Sequence, residues 1–345
     1  MKRLIYTGIC TIALVFTLEA KNQSTPPPFD ADLFRKDAQV WSGHAEFLFW
    51  RVQESSLDYA LSMSQSAWGP SNCYASGYFE NATFNGDPGF RIGVSFFRAP
   101  KYWEVKANYT RLTARGSNSA GKPDPNTQYL TGTWPQVFTN PMAGATSRIH
   151  MNYNVADLLV DRVFHPNPHL RLRVLGGGLV AWINQNWDVS YNDSSNNQTA
   201  INNQWKFIGG GLSTGTCVDW YWGRDVYITA SASFGALLGS YQNRSKQTTN
   251  YQISSDYNTS LPLRNAHYKD VRPSFTVQFL FGPSYQKNFT NSRMEFFLGY
   301  EINTWMNLHE IYRSTSGSGS AEKQTWINTG AVALQGLTTR LTVDF

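Results

Sequence analysis

The side chains able to do chemistry in this chain recur at every second position. Arg91, Lys106, Arg171, Arg173, Lys206 and Arg340, opposed by Glu104, Glu295 and Glu301, sit in short segments where polar and apolar residues alternate. On a β-strand such a set lines one face, and fixed charges along the inside of a pore set which ions enter it. Six basic residues against three acidic ones predict a slight preference for anions. Other chemistry has less support. Gly211-Leu212-Ser213-Thr214-Gly215 fits the pattern around a serine-hydrolase nucleophile, but that serine needs a sharp strand-to-helix turn. Here it lies inside an alternating run with no helix after it. His165 and His169 bracket two prolines in a short connector, which reads as a turn before it reads as a metal site. The expectation is a protein that is not an enzyme, with no catalytic residue, cofactor or metal.

Strands must position these residues. Phe90, Ile92, Val94 and Phe96 alternate with Arg91, Gly93 and Ser95, and Trp103, Val105, Ala107 and Tyr109 alternate with Glu104, Lys106, Asn108 and Thr110. The same period marks strands near 44–52, 149–163, 170–183, 204–217, 226–238, 273–283, 293–305 and 334–345, ten in all. Connectors alternate too. Short ones, such as 98–102 and 165–169, are followed by long ones near 184–203, 239–272 and 306–333. Outer-membrane barrels have short periplasmic turns and long extracellular loops, so the rhythm predicts an all-β, transmembrane antiparallel outer-membrane β-barrel. Ten strands is the floor. Loop residues such as Thr249, Tyr251, Ile253 and Tyr257 leave room for 12 to 16. Trp103 and Phe345 then fall at the periplasmic interface, with Trp182, Trp205 and Trp305 near the outer one.

The two ends of the chain agree with that compartment. Lys2 and Arg3 precede an apolar run from Leu4 to Leu18, the layout of a secretory signal peptide over 1–20. Residues 21–39, with three prolines at 26–28, read as a periplasmic arm, and 40–345 as the barrel. At the far end Leu341, Val343 and Phe345 share one face of the last strand, an arrangement that resembles the signal read by the bacterial barrel-assembly machinery. No segment after residue 20 is apolar enough for a membrane helix, and mean hydropathy is −0.39 although 41% of residues are apolar. With Lys2, Arg3 and Glu19 set aside, 27 basic and 23 acidic residues remain. That surplus is too small and too scattered for nucleic acid. Cys73 falls in the first long loop and Cys217 near the periplasmic end of its strand, about 25 Å apart in such a barrel. A disulfide needs Cα atoms within about 7 Å. Any bond would therefore join two chains, as in a cross-linked envelope, the alternative being two free thiols.

Several segments resemble the Legionella-type major outer membrane protein family, which includes the major-outer-membrane-protein-like porins of environmental chlamydiae. They are Asp87-Pro88-Gly89-Phe90-Arg91-Ile92-Gly93, Trp103-Glu104-Val105-Lys106-Ala107-Asn108-Tyr109-Thr110, Met151-Asn152-Tyr153-Asn154-Val155-Ala156-Asp157-Leu158, Ala181-Trp182-Ile183-Asn184-Gln185 and Leu334-Gln335-Gly336-Leu337-Thr338-Thr339-Arg340. Lipid, lipopolysaccharide and further copies, in a homo-oligomer or disulfide-linked network, are the expected partners of such a multi-pass barrel, and the resemblance implies an abundant surface protein in a Gram-negative outer membrane. It also implies a porin for small hydrophilic solutes or ions. The other reading is a surface structural protein or adhesin, in which a plugged barrel displays long loops. Ten strands make the second reading serious, because open aqueous lumens are typical of 16 to 18.

Overall fold

A computed structural model of the chain describes residues 38–345 except 64–76, 99–100, 123–128, 135–141, 196, 224, 255–256 and 315–324; in places inside β10–β13 only the backbone is described. The signal segment 1–20 and nearly all of the arm 21–39 lie outside the described residues. So does Cys73.

Thirteen strands are described. β1 (Gln39–Glu54) is followed by the short β2 (Asp58–Met63) and β3 (Gly77–Asn81), then by β4 (Gly86–Arg98) and β5 (Trp103–Gly121). After the short β6 (Tyr129–Gly132) come β7 (Met142–Asn167), β8 (Leu170–Asp193), β9 (Gln198–Tyr221), β10 (Val226–Ser254), β11 (Tyr257–Asn288), β12 (Arg293–Ser314) and β13 (Thr325–Asp344). Ten of them form one closed antiparallel barrel, each paired with its chain neighbours, and β1 pairs with both β4 and β13 to complete the ring. β2, β3 and β6 form a separate small sheet. All ten expected strands are present. The loop residues that left room for more strands extend existing ones instead: Thr249 and Tyr251 prolong β10. β10 and β11 reach 29 and 32 residues, about three times the 9–11 that cross a bilayer.

The ring closes at its lower rim through Phe345, whose N–H donates to the Trp41 carbonyl at 2.9 Å while the Trp41 N–H donates back at 3.1 Å. Closure matters because an open sheet edge in hydrocarbon leaves backbone groups unsatisfied at several kcal/mol each. Deleting Phe345 is expected to lower the fraction of protein that reaches its folded, heat-modifiable form in membrane fractions. Normal assembly of the truncated chain would remove the closing pair from the account.

The outer face of the wall is apolar through its lower half. Phe47, Phe90, Ile92, Val94, Leu158, Val174, Phe279, Leu298 and Leu341 all point outward and are exposed. Trp41, Trp103, Trp220 and Phe345 ring the short-turn end and Trp182 stands outward toward the other, as amphipathic rings do at membrane interfaces.

Toward the long-loop end the polarity of the two faces exchanges while the alternation keeps its phase. On β8 the inward side runs from Arg171 and Arg173 to Ile183, Trp187 and Tyr191, and the outward side from Leu172 and Val174 to Asn184, Asn186 and Asp188. β9 does the same: Asp219 and Cys217 give way inward to Phe207 and Trp205, and Leu212 gives way outward to Lys206 and Gln204. A transmembrane barrel, apolar outside, is thus continued by a soluble-type barrel, apolar inside. The exchange corrects two expectations. Lys206 lies on the outer surface and lines no lumen, and Trp205 and Trp305 are buried inside the barrel instead of standing in the outer aromatic belt.

Candidate functional site

If the barrel passes or holds anything, its interior does so, and that interior is built in tiers. The lowest tier, toward the short turns, is a polar vestibule enclosing a cavity of about 260 Å³. Of the residues expected inside, Arg91, Glu104, Lys106, Arg171, Arg173, Glu295 and Arg340 line it, and Glu301 lies at its edge bonded to Arg91. Arg293 adds a cation. Five carboxylates not anticipated from the sequence share the lower lumen: Glu46, Asp157, Asp161, Asp219 and Asp344. The tally becomes six basic to eight acidic side chains, which removes the basis for an anion preference. Their signal was available, since Asp157 and Asp161 alternate inward on β7 as Arg171 and Arg173 do on β8.

Most of these charges are held by partners across strands. Arg91 on β4 bonds Glu46 on β1 at 2.6 Å and Glu301 on β12 at 2.8 Å, and its Nε donates to Thr110 on β5 at 2.9 Å. Glu301, fully buried, also accepts from Thr338 at 2.8 Å and from Gln278. Asp219 accepts from Arg171 at 2.8 Å, Arg173 at 2.9 Å and Thr229 at 2.8 Å. Lys106 bridges Asp161 at 2.7 Å and Glu104 at 3.1 Å, and Arg293 bridges Asp344 and Glu295. Buried charges persist only when paired and hydrogen-bonded in this way.

Above the vestibule the lumen is bridged. Asn303 on β12 donates from Nδ2 to the Tyr153 hydroxyl on β7 at 3.1 Å. These strands are five places apart in either direction around a ten-strand ring, so the bond spans the full width of the barrel. Trp305 packs edge-on against Tyr153, with ring centroids 6.0 Å apart. Beyond this bridge the interior is a packed apolar core that includes Leu48, Trp50, Met151, Ile183, Trp187, Phe207, Tyr241, Leu308 and Leu334. Its tight fit shows at Gly209 and Gly239, which face each other between β9 and β10. A Cβ on either would lie within 2.6 Å of the Phe207 ring.

The mouth is capped twice. Tyr59 and Ala60 of β2 are buried with Trp134 in the same core, and the Tyr191 hydroxyl donates to the Tyr59 carbonyl at 2.5 Å. Burial pushes the Tyr59 hydroxyl up to about 12, with Glu80 adding to the shift, so it stays neutral inside the cap. From the other side β12 leaves β11 after Met306, turns at Asn307 in a left-handed conformation (φ 60°), and continues with β13 alone. Leu308, His309, Glu310 and Ile311 are all buried, so both faces of this segment are covered. Glu310 bonds Arg272 at 2.6 Å, and His309 lies 3.2 Å from Glu54, which accepts from Gln185 at 2.9 Å.

Cys217 faces into the vestibule, with its Sγ 3.6 Å from Arg173. From there it points away from the outer wall against which another barrel would pack, which favours the free-thiol alternative over an intermolecular disulfide. A Cys73→Ser variant, leaving Cys217 as the remaining thiol of 21–345, is therefore expected to run as a monomer on oxidising, non-reducing gels. A dimer band abolished by Cys217→Ser would reverse this placement. Ser213 stays inside strand β9, and no group of three or more metal-ligating side chains occurs among the described residues.

A family model described as the Legionella pneumophila major outer membrane protein precursor matches residues 36–345. No curated protein matches the chain. Solved structures that align with it include a Pseudomonas aeruginosa FadL homologue, at 8% identity over 90% of both chains with a TM-score of 0.29. The Pseudomonas putida toluene transporter TodX aligns at 8% identity over 89% of both chains with a TM-score of 0.30.

Proposed function

From the premise that the chain belongs to the Legionella pneumophila major outer membrane protein family and resides in the outer membrane, we propose that it is a closed surface barrel, a structural or adhesive protein of the envelope that displays β-hairpins outward. The observation that carries this reading is the bridged and filled lumen. Nine large side chains of its upper interior, Leu48, Trp50, Leu112, Tyr153, Trp187, Tyr191, Phe207, Tyr241 and Trp305, are almost entirely buried. Wetting them would cost about 1.5–3 kcal/mol each, together about 14–27 kcal/mol, which reaches or exceeds the upper end of the roughly 5–15 kcal/mol that usually holds a whole domain folded. A plug of that size is a fixed part of the barrel. The β10–β11 hairpin and the soluble-type upper wall supply the displayed surface. The proposed partners are membrane lipid and lipopolysaccharide along the apolar wall, the barrel-assembly machinery during insertion, and neighbouring envelope proteins or further copies at the surface. No catalytic or nucleic-acid role is proposed.

A second reading, a porin for small hydrophilic solutes or ions, is favoured by one observation, the charged vestibule. It requires the core above Tyr153 to rearrange. Purified protein reconstituted in a planar bilayer separates the two. The closed barrel is expected to give no discrete conductance steps, and regular steps in the unmodified protein would establish the porin.

A further inference from the structure

We propose that the vestibule binds a small organic cation carrying N–H donors, such as a diamine, entering from the periplasm. The direction of entry rests on the closed-barrel reading; the site itself does not. The lower lumen has two more carboxylates than cations, and the surplus is concentrated on the β5–β7 wall. There Asn108 stands opposite Asp157, and Glu104 opposite Asp161, in the ladder register. Asp157 has no ion-pair partner among the described residues and accepts only the Asn108 Nδ2 among the bonds resolved, at 2.6 Å. That bond leaves Asn108 Oδ1 buried without a donor. Asp161 is 1% exposed and lines the cavity, and its Oδ1 also lacks a donor. Buried acceptors left unpaired cost about 1–3 kcal/mol each, so a guest that donates to them recovers that cost on binding.

The resident chemistry indicates which guest fits. The Lys106 ammonium already sits between Asp161 and Glu104 on the same wall, so this surface has the spacing that an ammonium requires. An alkylammonium presents three donors and is satisfied by two or three acceptors. A hard divalent metal demands six or more oxygens in close geometry, and no group of three or more metal-ligating side chains occurs among the described residues. A cavity of about 260 Å³ admits a guest of several heavy atoms, below the usual size of a drug pocket. The charged walls exclude a purely apolar one.

The test is calorimetric titration of the full-length barrel, folded in lipid vesicles at low ionic strength, with 1,4-diaminobutane. Expected are saturable binding of the diamine, none of 1,4-butanediol or succinate, and at least tenfold weaker binding in Asp157→Asn. That substitution is nearly isosteric and breaks no ion pair. Asp161→Asn should weaken binding similarly, and heat-modifiable mobility checks that both variants fold. Equal affinity in both variants, binding of succinate as tight as that of the diamine, or tighter binding of Mg²⁺ would overturn the proposal. Conductance of the same preparation keeps the two readings apart. A conducting barrel that still binds the diamine sinks only the closed barrel, and a silent one that binds nothing sinks only this site.

Discussion

Replacing Trp50, Tyr153, Trp187 and Trp305 together by serine is expected to turn a silent barrel into a conducting one that prefers cations. These four side chains hold the bridge and the core above it. Their removal deletes the Tyr153 hydroxyl that Asn303 reaches across the lumen and opens space that small hydroxyl groups allow water to fill. The wall itself should survive, because its backbone ladders run unbroken around the ring. The sign of selectivity follows from the vestibule, where eight carboxylates face six cations and focus a negative potential in a low-dielectric wall. Reversal potentials under a salt gradient measure it, and the preference should shrink at 1 M salt, where charges act over only about 3 Å. Anion preference in the variant would mean that the Arg and Lys groups dominate the constriction. Continued silence in a folded variant would place the closure elsewhere, in the β2–β3–β6 cap or the β12–β13 tip.

Arg91→Met should be the most damaging single substitution in the lower lumen, at about 3–5 kcal/mol, the usual cost of leaving a buried charge uncompensated. One guanidinium ties β4 to β1 and β12, and its loss leaves Glu301 buried without a cation and Glu46 with Arg340 alone, at 3.4 Å. Urea unfolding of the barrel in vesicles gives the measurement. Adding Glu301→Gln to Arg91→Met should recover part of the loss, since it removes the stranded charge. Lys206→Met, on the outer surface, is the control and should stay within about 0.5 kcal/mol. A loss no larger for Arg91→Met than for that control would show that Glu46 and Glu301 find other partners.

The strands were legible because alternation is a property of backbone geometry and survives any change of solvent. Every segment with a clear period, from Phe90–Phe97 to Leu337–Asp344, lies in a barrel strand. Assigning the faces required a further fact, namely what bathes each side, and that changes partway up the wall. The alternation puts Lys206 inside because an outer-membrane strand sends its polar side inward, which holds at Asp219 and reverses by Trp205 on the same strand. Trp305 departs from the outer belt for the same reason. The exchange is visible in retrospect on β8, where Arg171 and Arg173 and then Ile183 and Trp187 occupy positions of one parity. The bridge from Asn303 to Tyr153 could not be read at all, since the two residues are 150 positions apart and meet only once the ring has closed.

The pairing of β1 with β13 has a consequence for the order of events in time. Trp50 donates to Thr338 across 288 residues of sequence, whereas every other barrel seam joins strands that follow one another along the chain with at most the short strands of the small sheet between them. Contacts of such separation form late, because the entropy of closing the intervening chain is lost before they return anything. The first strand must therefore wait for the last, and until then Glu46 lacks Arg340 and Trp50 lacks Thr338. Fluorescence of Trp50, in a variant whose other tryptophans are phenylalanine, should change in the slowest phase of refolding into vesicles, after the hairpins have formed. Such a barrel finishes its interior and its perimeter in one step.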